Sequence, residues 1–597
     1  MLIASDRETY QHIWACRKAA MPLLMSIPGA RKPITFVEDT AVDPTRLPEF
    51  VARFRQILQH HGTDGAFYGH ASVGCLHIRP LLDSANRDDI ARIEAIALEI
   101  ADLVIEFGGA MSGEHGDGLA RSFLNEKLFG PKIYRAFQEL KAAFDPGNLM
   151  NPGKIVDAPR CVENLRYGEQ YRTLPVVTTL DFSREGGFAA AVAMCNGAGV
   201  CRKTQTGTMC PSFMATGDEE HSTRGRANAL RQVLSGNLPA DELTGEKMFG
   251  TFALCLQCKG CKAECPSNVD VAKLKIEFLD HFWRRHGAPL GVKLMANVHQ
   301  LNRFGSALAP MSNWLNKLPG SAWLREKLLG IDRRRPLPEF ERNHFAAWFD
   351  ARPKVTQAAR GPIVLLDDCL TSYCEPNVNR AAVRVLEAAG YEVHRAGLSC
   401  CGRAMISKGL LGPAKQLVAE NVSKLLPWAK QGVPIVGCEP SCLLTLTDEY
   451  LDLLPGDDTR TIAAQARLID SHLIRERIEL PLRKTAEPPQ PVLLHGHCYQ
   501  KALVGTSECR AALELAPGTK VTTLDSGCCG MAGSFGYEHY NVSMQIGSRV
   551  LFPAVNAQPA ATVVAPGFSC RHQIEHGTAR RALHPIEYLA ERLEPRG

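Results

Sequence analysis

Cys255, Cys258, Cys261 and Cys265, followed by Pro266, spell C-x2-C-x2-C-x3-C-P. No other feature constrains the chain as strongly. Three thiolates spaced by two residues wrap one face of a cubane iron–sulfur cluster, and the fourth, before proline, turns away to ligate a second cluster. The competing reading is a structural zinc knot, but zinc sites usually pair two C-x2-C hooks far apart. The spacing therefore reads as part of a two-cluster 4Fe-4S electron carrier.

A second cluster requires a partner motif, and a degraded one lies upstream. Cys195 and Cys201 are followed by Cys210-Pro211, and Ala198 stands where a full motif has its middle cysteine. Crossing the Cys-Pro ligands gives one cluster Cys255, Cys258, Cys261 and Cys210. The other keeps Cys195, Cys201 and Cys265. Its fourth ligand is then a non-cysteine group or a distant cysteine, or the cluster is of a three-iron type.

At 597 residues the chain should hold several domains. A net charge of +5 is modest for this length, and no basic run is long enough to suggest nucleic acid. The opening MLIASDRETYQHIW lacks a basic region followed by an apolar run, so no secretory signal is expected. No apolar stretch is long enough to span a bilayer. The 21 cysteines fall in metal-type clusters, which argues for ligands in a reducing compartment rather than disulfides. The expected location is cytoplasmic, with peripheral attachment at the inner face of the membrane as a variant.

Residues 1–157 read as mixed α/β. Helical periodicity over Pro48 to His61 and Arg87 to Phe107 alternates with β-like runs at Ala66 to His70 and Cys75 to Arg79. Residues 158–180 read as a linker and 181–285 as helices around the ferredoxin motifs. Residues 286–355 read as a connector of amphipathic helices broken at Pro310, Pro319 and Gly320. Within it, Pro289 to Arg335 interleaves Trp314 and Trp323 with Lys and Arg, which suits either a membrane surface beside a quinone pool or a packed connector. Alternation of strand and helix resumes with Ile363-Val364-Leu365-Leu366, giving modules at 356–480 and 481–597.

These two modules repeat. Cys369 pairs with Cys498, Cys400-Cys401-Gly402 with Cys528-Cys529-Gly530, and Cys442 with Cys570, at offsets of 129, 128 and 128. VLLDDC in the first matches LLHGHC in the second. Each module should bring four cysteines together from three loops, the glycine easing the turn after each adjacent pair. A metal or iron–sulfur site per module, or one shared between them, is the functional reading; a chance repeat of buried cysteines is the bland one. Cys374 and Cys438 are further thiols of the first module.

Near the N-terminus the ligand types change. His70 and His77 are seven apart, and Glu114 and His115 sit in the glycine-rich Gly108-Gly109-Ala110-Met111-Ser112-Gly113-Glu114-His115-Gly116-Asp117-Gly118. Two imidazoles and a carboxylate make a three-ligand divalent site with open positions, suited to Zn2+ or Mn2+. On spacing alone, two structural histidines and a glycine turn explain these residues equally well.

The stretches RKPITFVEDTAVDP, GHASVGCLHIRP, SGEHGDGLAR and FDPGNLMNPGK resemble the C-terminal half of FAD-linked oxidases. Those enzymes belong to the vanillyl-alcohol oxidase superfamily, in its D-lactate, glycolate and D-2-hydroxyglutarate dehydrogenase branch. TRGRA at 223–227 and the doubled CCG motifs extend the resemblance to long bacterial D-2-hydroxyacid dehydrogenases that fuse flavin and iron–sulfur parts. The fold class implied is a multidomain α/β and α+β chain. It comprises a ferredoxin-like FAD-linked oxidase C-terminal domain, an α-helical two-cluster ferredoxin domain and two repeated α/β CCG modules. By resemblance His70, His77 and Glu114 are the metal ligands and His115 is the general base. Arg17 and Lys32 hold the substrate carboxylate, and Asn151 lies beside the flavin ring. The implied reaction oxidises a D-2-hydroxy acid, D-lactate or D-2-hydroxyglutarate, to the 2-oxo acid with FAD. Electrons then pass through 4Fe-4S clusters to a quinone or a redox protein.

The sequence also departs from its relatives. Gly74-Cys75 precede Leu76-His77 where the family often has Gly-Asn. Arg79 stands where smaller residues are common, and is either a ligand for a second substrate carboxylate or an exposed structural arginine. No Gly-rich phosphate-binding run precedes Trp14, which leads to the expectation of weak FAD retention and of a separate FAD-binding chain or a fragment. The alternative function is an electron-transfer subunit that docks a flavoprotein without catalysis of its own.

Overall fold

The computed structural model describes residues 5–27, 29–353, 358–483 and 490–595. These fall into two units, Met1–Leu174 and Pro175–Gly597.

In the first unit the strands are β1 (Lys32–Pro33), β2 (Thr40–Ala41), β3 (Gly65–His70) and β4 (Cys75–Leu82). β4 is central, pairing antiparallel with β1, β2 and β3. Alternation along β4 separates two faces. Leu76, Ile78 and Leu82 enter a core with Phe50, Phe54 and Leu58 of helix Leu47–His60 and Ile93, Ile96 and Ile100 of helix Arg87–Glu106. Full burial of each such side chain is worth roughly 1.5–3 kcal/mol. Asn86 caps the second helix by accepting from the backbone N–H groups of Asp88 and Asp89. The odd residues Cys75, His77 and Arg79 point the other way, opposite His70, Tyr68 and Ala66 of β3. Gly74 makes the β3–β4 turn at φ 71°, and a Cβ there would lie 1.7 Å from the Val42 carbonyl oxygen.

The second unit opens with short helices around the ferredoxin-type cysteines. Ser222 caps helix Thr223–Leu234, and Asp270 caps helix Val271–His286. The connector consists of helices Leu290–Ala296, Val298–Ala307, Met311–Lys317 and Ser321–Leu329, interrupted at Pro310 and at Pro319-Gly320. Its Trp314 and Trp323 are 61% and 54% exposed. In Arg333-Arg334-Arg335, the last arginine is buried against the Gly536 carbonyl, Gln573 and Ser543. No helix among the described residues is long and apolar enough to cross a membrane.

Two parallel sheets follow. Strands β5 (Pro362–Leu366), β6 (Glu392–Arg395), β7 (Ile435–Gly437) and β8 (Ala466–Leu468) run in the order β6-β5-β7-β8. Strands β9 (Gln490–Leu494), β10 (Thr519–Thr523) and β11 (Thr562–Val564) run β10-β9-β11. The modules share one core, in which Ile363, Val436 and Leu386 of the first meet Val492, Val564 and Leu589 of the second. In each sheet the first strand lies between the next two, so the strand order reverses there. Ligand sites in parallel sheets form at such switch points, outside the carboxyl ends of the strands.

Candidate functional site

The site face of the first unit gathers three imidazoles about one carboxylate. Glu114 Oε1 lies 3.0 Å from His115 Nε2, 3.2 Å from His77 Nε2 and 3.6 Å from His70 Nε2. The His77 and His115 rings stack, with centroids 4.8 Å apart. His77 is 3% exposed, whereas His70, Glu114 and His115 face solvent. Burial, joined by the neighbouring His115, lowers the His77 pKa and favours its neutral, ligand-competent form. Convergent imidazole nitrogens beside a carboxylate are the donor set a divalent ion requires.

The loop bearing Glu114 and His115 is held by Asp39, fully buried at φ 79°. The Asp39 carboxylate accepts from Ser112 Oγ at 2.6 Å, from the His115 N–H at 2.8 Å, from the Glu114 N–H at 3.1 Å and from Cys75 Sγ at 3.5 Å. Burial alone would raise its pKa, but these donors outweigh it and hold the carboxyl below its usual value. Gly113 lets the loop close in, since a Cβ there would stand 3.0 Å from Cys75 Sγ. Cys75, the departure from Gly-Asn, is thus a donor to Asp39. Glu38 accepts at Oε1 from His115 Nδ1 at 3.3 Å and meets Arg79 Nη2 at Oε2, 2.9 Å away. Glu38 and Asp39 are functional candidates that spacing did not single out, although both stand in the quoted VEDT. Arg79 is not an exposed arginine: its side chain is largely enclosed and ion-paired to Glu38.

Arg17 stacks its guanidinium over the Tyr68 ring at 4.8 Å, beside the imidazoles. Lys32 is set apart from them: its ammonium donates to the Ile27 carbonyl, and its partner on β4 is Leu82, beyond His77. Asn151 sits exposed in a left-handed turn, φ 53°, among the exposed Leu149, Met150 and Ile155.

In the second unit the ferredoxin-type cysteines lie close to one another, with Cys210 near Cys201 as well as Cys255. Cys210 lies beside Cys255 and Cys261, and Cys265 beside Cys195 and Cys201. Gln257 and Lys259 take left-handed conformations between Cys255 and Cys261, curling the loop. TRGRA serves the same thiols: the Arg224 N–H points at Cys201 Sγ at 3.3 Å, and buried Arg226 reaches Cys210 Sγ at 3.6 Å. Cys258 lies next to Cys498 of the second module. Lys259, 3% exposed, is ion-paired to Asp448 and Glu449 of the first module and stands 5.1 Å from the Tyr499 ring of the second.

Each CCG module closes a thiol group at its switch point. In the first, Cys369, Cys400, Cys401 and Cys442 lie in hydrogen-bonding sequence, and His299 of the connector reaches Cys400. In the second, Cys498, Cys528, Cys529 and Cys570 do the same. The neighbouring Cys528 thiol leads the causes that draw Cys498 and Cys529 below their usual range. The thiols are buried and every cysteine is free of disulfide, as cluster ligands must be. A small indentation of about 10 Å3, lined by Met214, Ile546, Arg549, Ser526 and Thr208, reaches Cys528.

Comparison with known proteins agrees with this division. Residues 1–155 match the family of FAD linked oxidases, C-terminal domain; residues 194–270 match the 4Fe-4S dicluster domain; residues 363–447 and 492–575 match the cysteine-rich CCG domain. A D-2-hydroxyglutarate dehydrogenase of Pseudomonas putida is 30% identical over 99% of this chain and 62% of its own length. That of Escherichia coli K12 is 29% identical over 97% of the chain and 61% of its own. One subunit of the anaerobic glycerol-3-phosphate dehydrogenase of Escherichia coli K12 is 28% identical over 50% of the chain and 76% of its own length. The chain thus carries an FAD-linked oxidase C-terminal domain, a 4Fe-4S dicluster domain and two cysteine-rich domains, and spans about three fifths of the dehydrogenases it matches.

Proposed function

We propose that the chain supplies the substrate-side and iron–sulfur parts of an FAD-dependent D-2-hydroxy acid dehydrogenase, with D-2-hydroxyglutarate as the preferred substrate class. One observation carries the reading: His70, His77 and His115 converge on Glu114 in a chain that also closes groups of buried thiols. Likeness over nearly the whole chain to D-2-hydroxyglutarate dehydrogenases supports the choice of acid. We assign residues 1–157 to substrate and metal, 158–180 to a linker and 181–285 to the 4Fe-4S carrier. The segment 286–355 is a connector, and the modules occupy 356–480 and 481–597.

His70, His77 and Glu114 would hold a Zn2+ or Mn2+ ion, which supplies Lewis acidity toward the C2 hydroxyl of a bound hydroxy acid. A bound flavin supplies acceptance of the C2 hydride, and iron–sulfur groups supply one-electron transfer. The remaining work belongs to the side chains. His115, its Nδ1 held by Glu38, presents Nε2 to take the hydroxyl proton. Arg17 offers a planar fork for the substrate carboxylate. Lys32 joins it only by leaving the Ile27 carbonyl. Asp39 fixes the loop so that Glu114 and His115 keep their separation. The exposed apolar loop at Asn151 suits a flavin-bearing surface, and a quinone or redox protein is the proposed final acceptor.

The second reading, an electron-transfer subunit docking a separate flavoprotein, is favoured by the likeness of half the chain to the glycerol-3-phosphate dehydrogenase subunit. Anaerobic purification, with iron, sulfide, zinc, manganese and flavin quantified together, precedes the test. Addition of D-2-hydroxyglutarate in the presence of FAD should then bleach the visible iron–sulfur absorbance. Bound flavin with no bleaching by any 2-hydroxy acid would leave only the second reading.

A further inference from the structure

The two CCG modules are not equivalent at one strand position. His495 directly follows β9 in the second module, three residues before Cys498, and Leu366 ends β5 in the first, three residues before Cys369. His495 is fully buried. Its Nδ1 lies 2.6 Å from Ser526 Oγ, and its enclosed Nε2 faces Cys529 without a well-formed hydrogen bond. His495, Cys529 and Cys570 offer ligand atoms all within 4.8 Å of one another. Donors on one tetrahedral ion stand roughly 3.5 Å apart when metal–ligand lengths are about 2.0–2.3 Å, so a small closure would bring this group to bonding geometry.

A buried imidazole nitrogen whose nearest polar neighbour is a thiol is poorly satisfied, and binding a metal would satisfy it. With Nδ1–H donating to Ser526, the Nε2 lone pair points at the thiols, the orientation a ligating histidine takes when its other nitrogen is tied by an outer partner. His497, two residues on, is already committed: its Nδ1 accepts from the Tyr499 N–H and caps helix Cys498–Leu503. In the first module the imidazole that reaches a thiol is His299, on Cys400, and it comes from the connector helix Val298–Ala307 outside the module.

We propose that the second CCG module holds an iron–sulfur group on Cys498, Cys528, Cys529 and Cys570 with His495 Nε2 as a fifth donor. The first module has an apolar Leu366 at the corresponding place. A neutral nitrogen completes the donor set without adding negative charge, so the two modules carry electronically distinct centres. Lys501, half-buried near Cys498, Cys528 and Cys570 with its ammonium on the Gly527 carbonyl, offsets part of the thiolate charge.

The proposal rests on reading the modules as iron–sulfur carriers, and its readout, histidine nitrogen at iron, does not depend on turnover of any hydroxy acid. The full chain is purified anaerobically with 15N-labelled histidine and studied by pulsed electron paramagnetic resonance, oxidised and dithionite-reduced. The expected result is a histidine 15N coupling to one centre that disappears in His495→Leu and persists in His299→Leu. His495→Cys should keep the iron and sulfide content of the natural protein while losing the coupling. Absence of coupling in both oxidation states of the natural protein overturns the proposal, whatever the variants do. So does a coupling that survives His495→Leu, or zinc without sulfide at the module.

Discussion

Glu38 Oε1 lies 3.3 Å from His115 Nδ1, while the opposite nitrogen of that ring lies 3.0 Å from Glu114. The ring is thereby fixed at one edge by a carboxylate and presented at the other to the place where a hydroxyl proton would be taken. Glu38 is a positioning residue in this arrangement. Glu38→Gln should lower kcat about 10–100-fold, the usual cost of removing an outer partner, with KM changing little. His115→Ala should cost about 100–10,000-fold. Equal losses in KM and kcat for Glu38→Gln would show a folding role instead.

Arg79 shares Glu38 with His115, so its replacement acts through Glu38 rather than through a substrate carboxylate. Arg79→Ala should therefore lower kcat/KM for D-2-hydroxyglutarate and D-lactate by similar factors. A loss confined to the dicarboxylic acid would return Arg79 to the substrate.

The divalent site and the thiol groups draw on separate residues in separate units, which allows them to be emptied independently. His77→Ala and Glu114→Ala should abolish bound zinc or manganese, and with it hydroxy acid oxidation, while iron and sulfide stay at the natural level. Elemental analysis of each variant against the natural protein checks this. Retained divalent metal in both variants would place the ion elsewhere.

Glu375 of the first module is ion-paired to Arg571 of the second and lies 3.2 Å from His572 Nε2. Burial would raise its pKa, but Arg571 and His572 outweigh that and depress it from 4.5 to about 2. A depressed carboxyl contributes stability that is fully present above its unfolded value and lost as pH falls through the folded one. Glu375→Gln should lower Tm near neutrality, and the gap from the natural protein should close between about pH 4.5 and about pH 2. A gap that widens with acid would contradict the pairing.

Legibility in the sequence followed the range of the contacts involved. Iron–sulfur ligands announce themselves because ligation imposes local spacing, and the crossed grouping of Cys210 and Cys265 is what that spacing leads one to expect. The module repeat was visible for the same reason. Asp39 and Glu38 were not, because their work is done on Ser112 to His115, across a sheet and a loop, and a carboxylate beside a threonine carries no local signal. Lys32 matched a family position, yet the Ile27 carbonyl holds its ammonium. LLHGHC displays two histidines, and only the fold distinguishes His497, which caps a helix, from His495, which faces the thiols.

Cys498 of the second module stands close enough to Cys258 for their charges to interact, whereas no first-module cysteine is among the groups acting on Cys258. Lys259, at the adjoining position, ties the loop to both modules, ion-paired to Asp448 and Glu449 of the first and set over the Tyr499 ring of the second. Under the proposed relay, electrons leaving the Cys255-Cys258-Cys261-Cys210 group pass first to the second module. Cys498→Ser should then leave rapid reduction of the ferredoxin-type groups by substrate unchanged and slow their reoxidation by an added quinone at least tenfold. Cys369→Ser, at the corresponding cysteine of the first module, should slow reoxidation less. The reverse order, measured by stopped-flow absorbance on the same preparations, would place the exit at the first module.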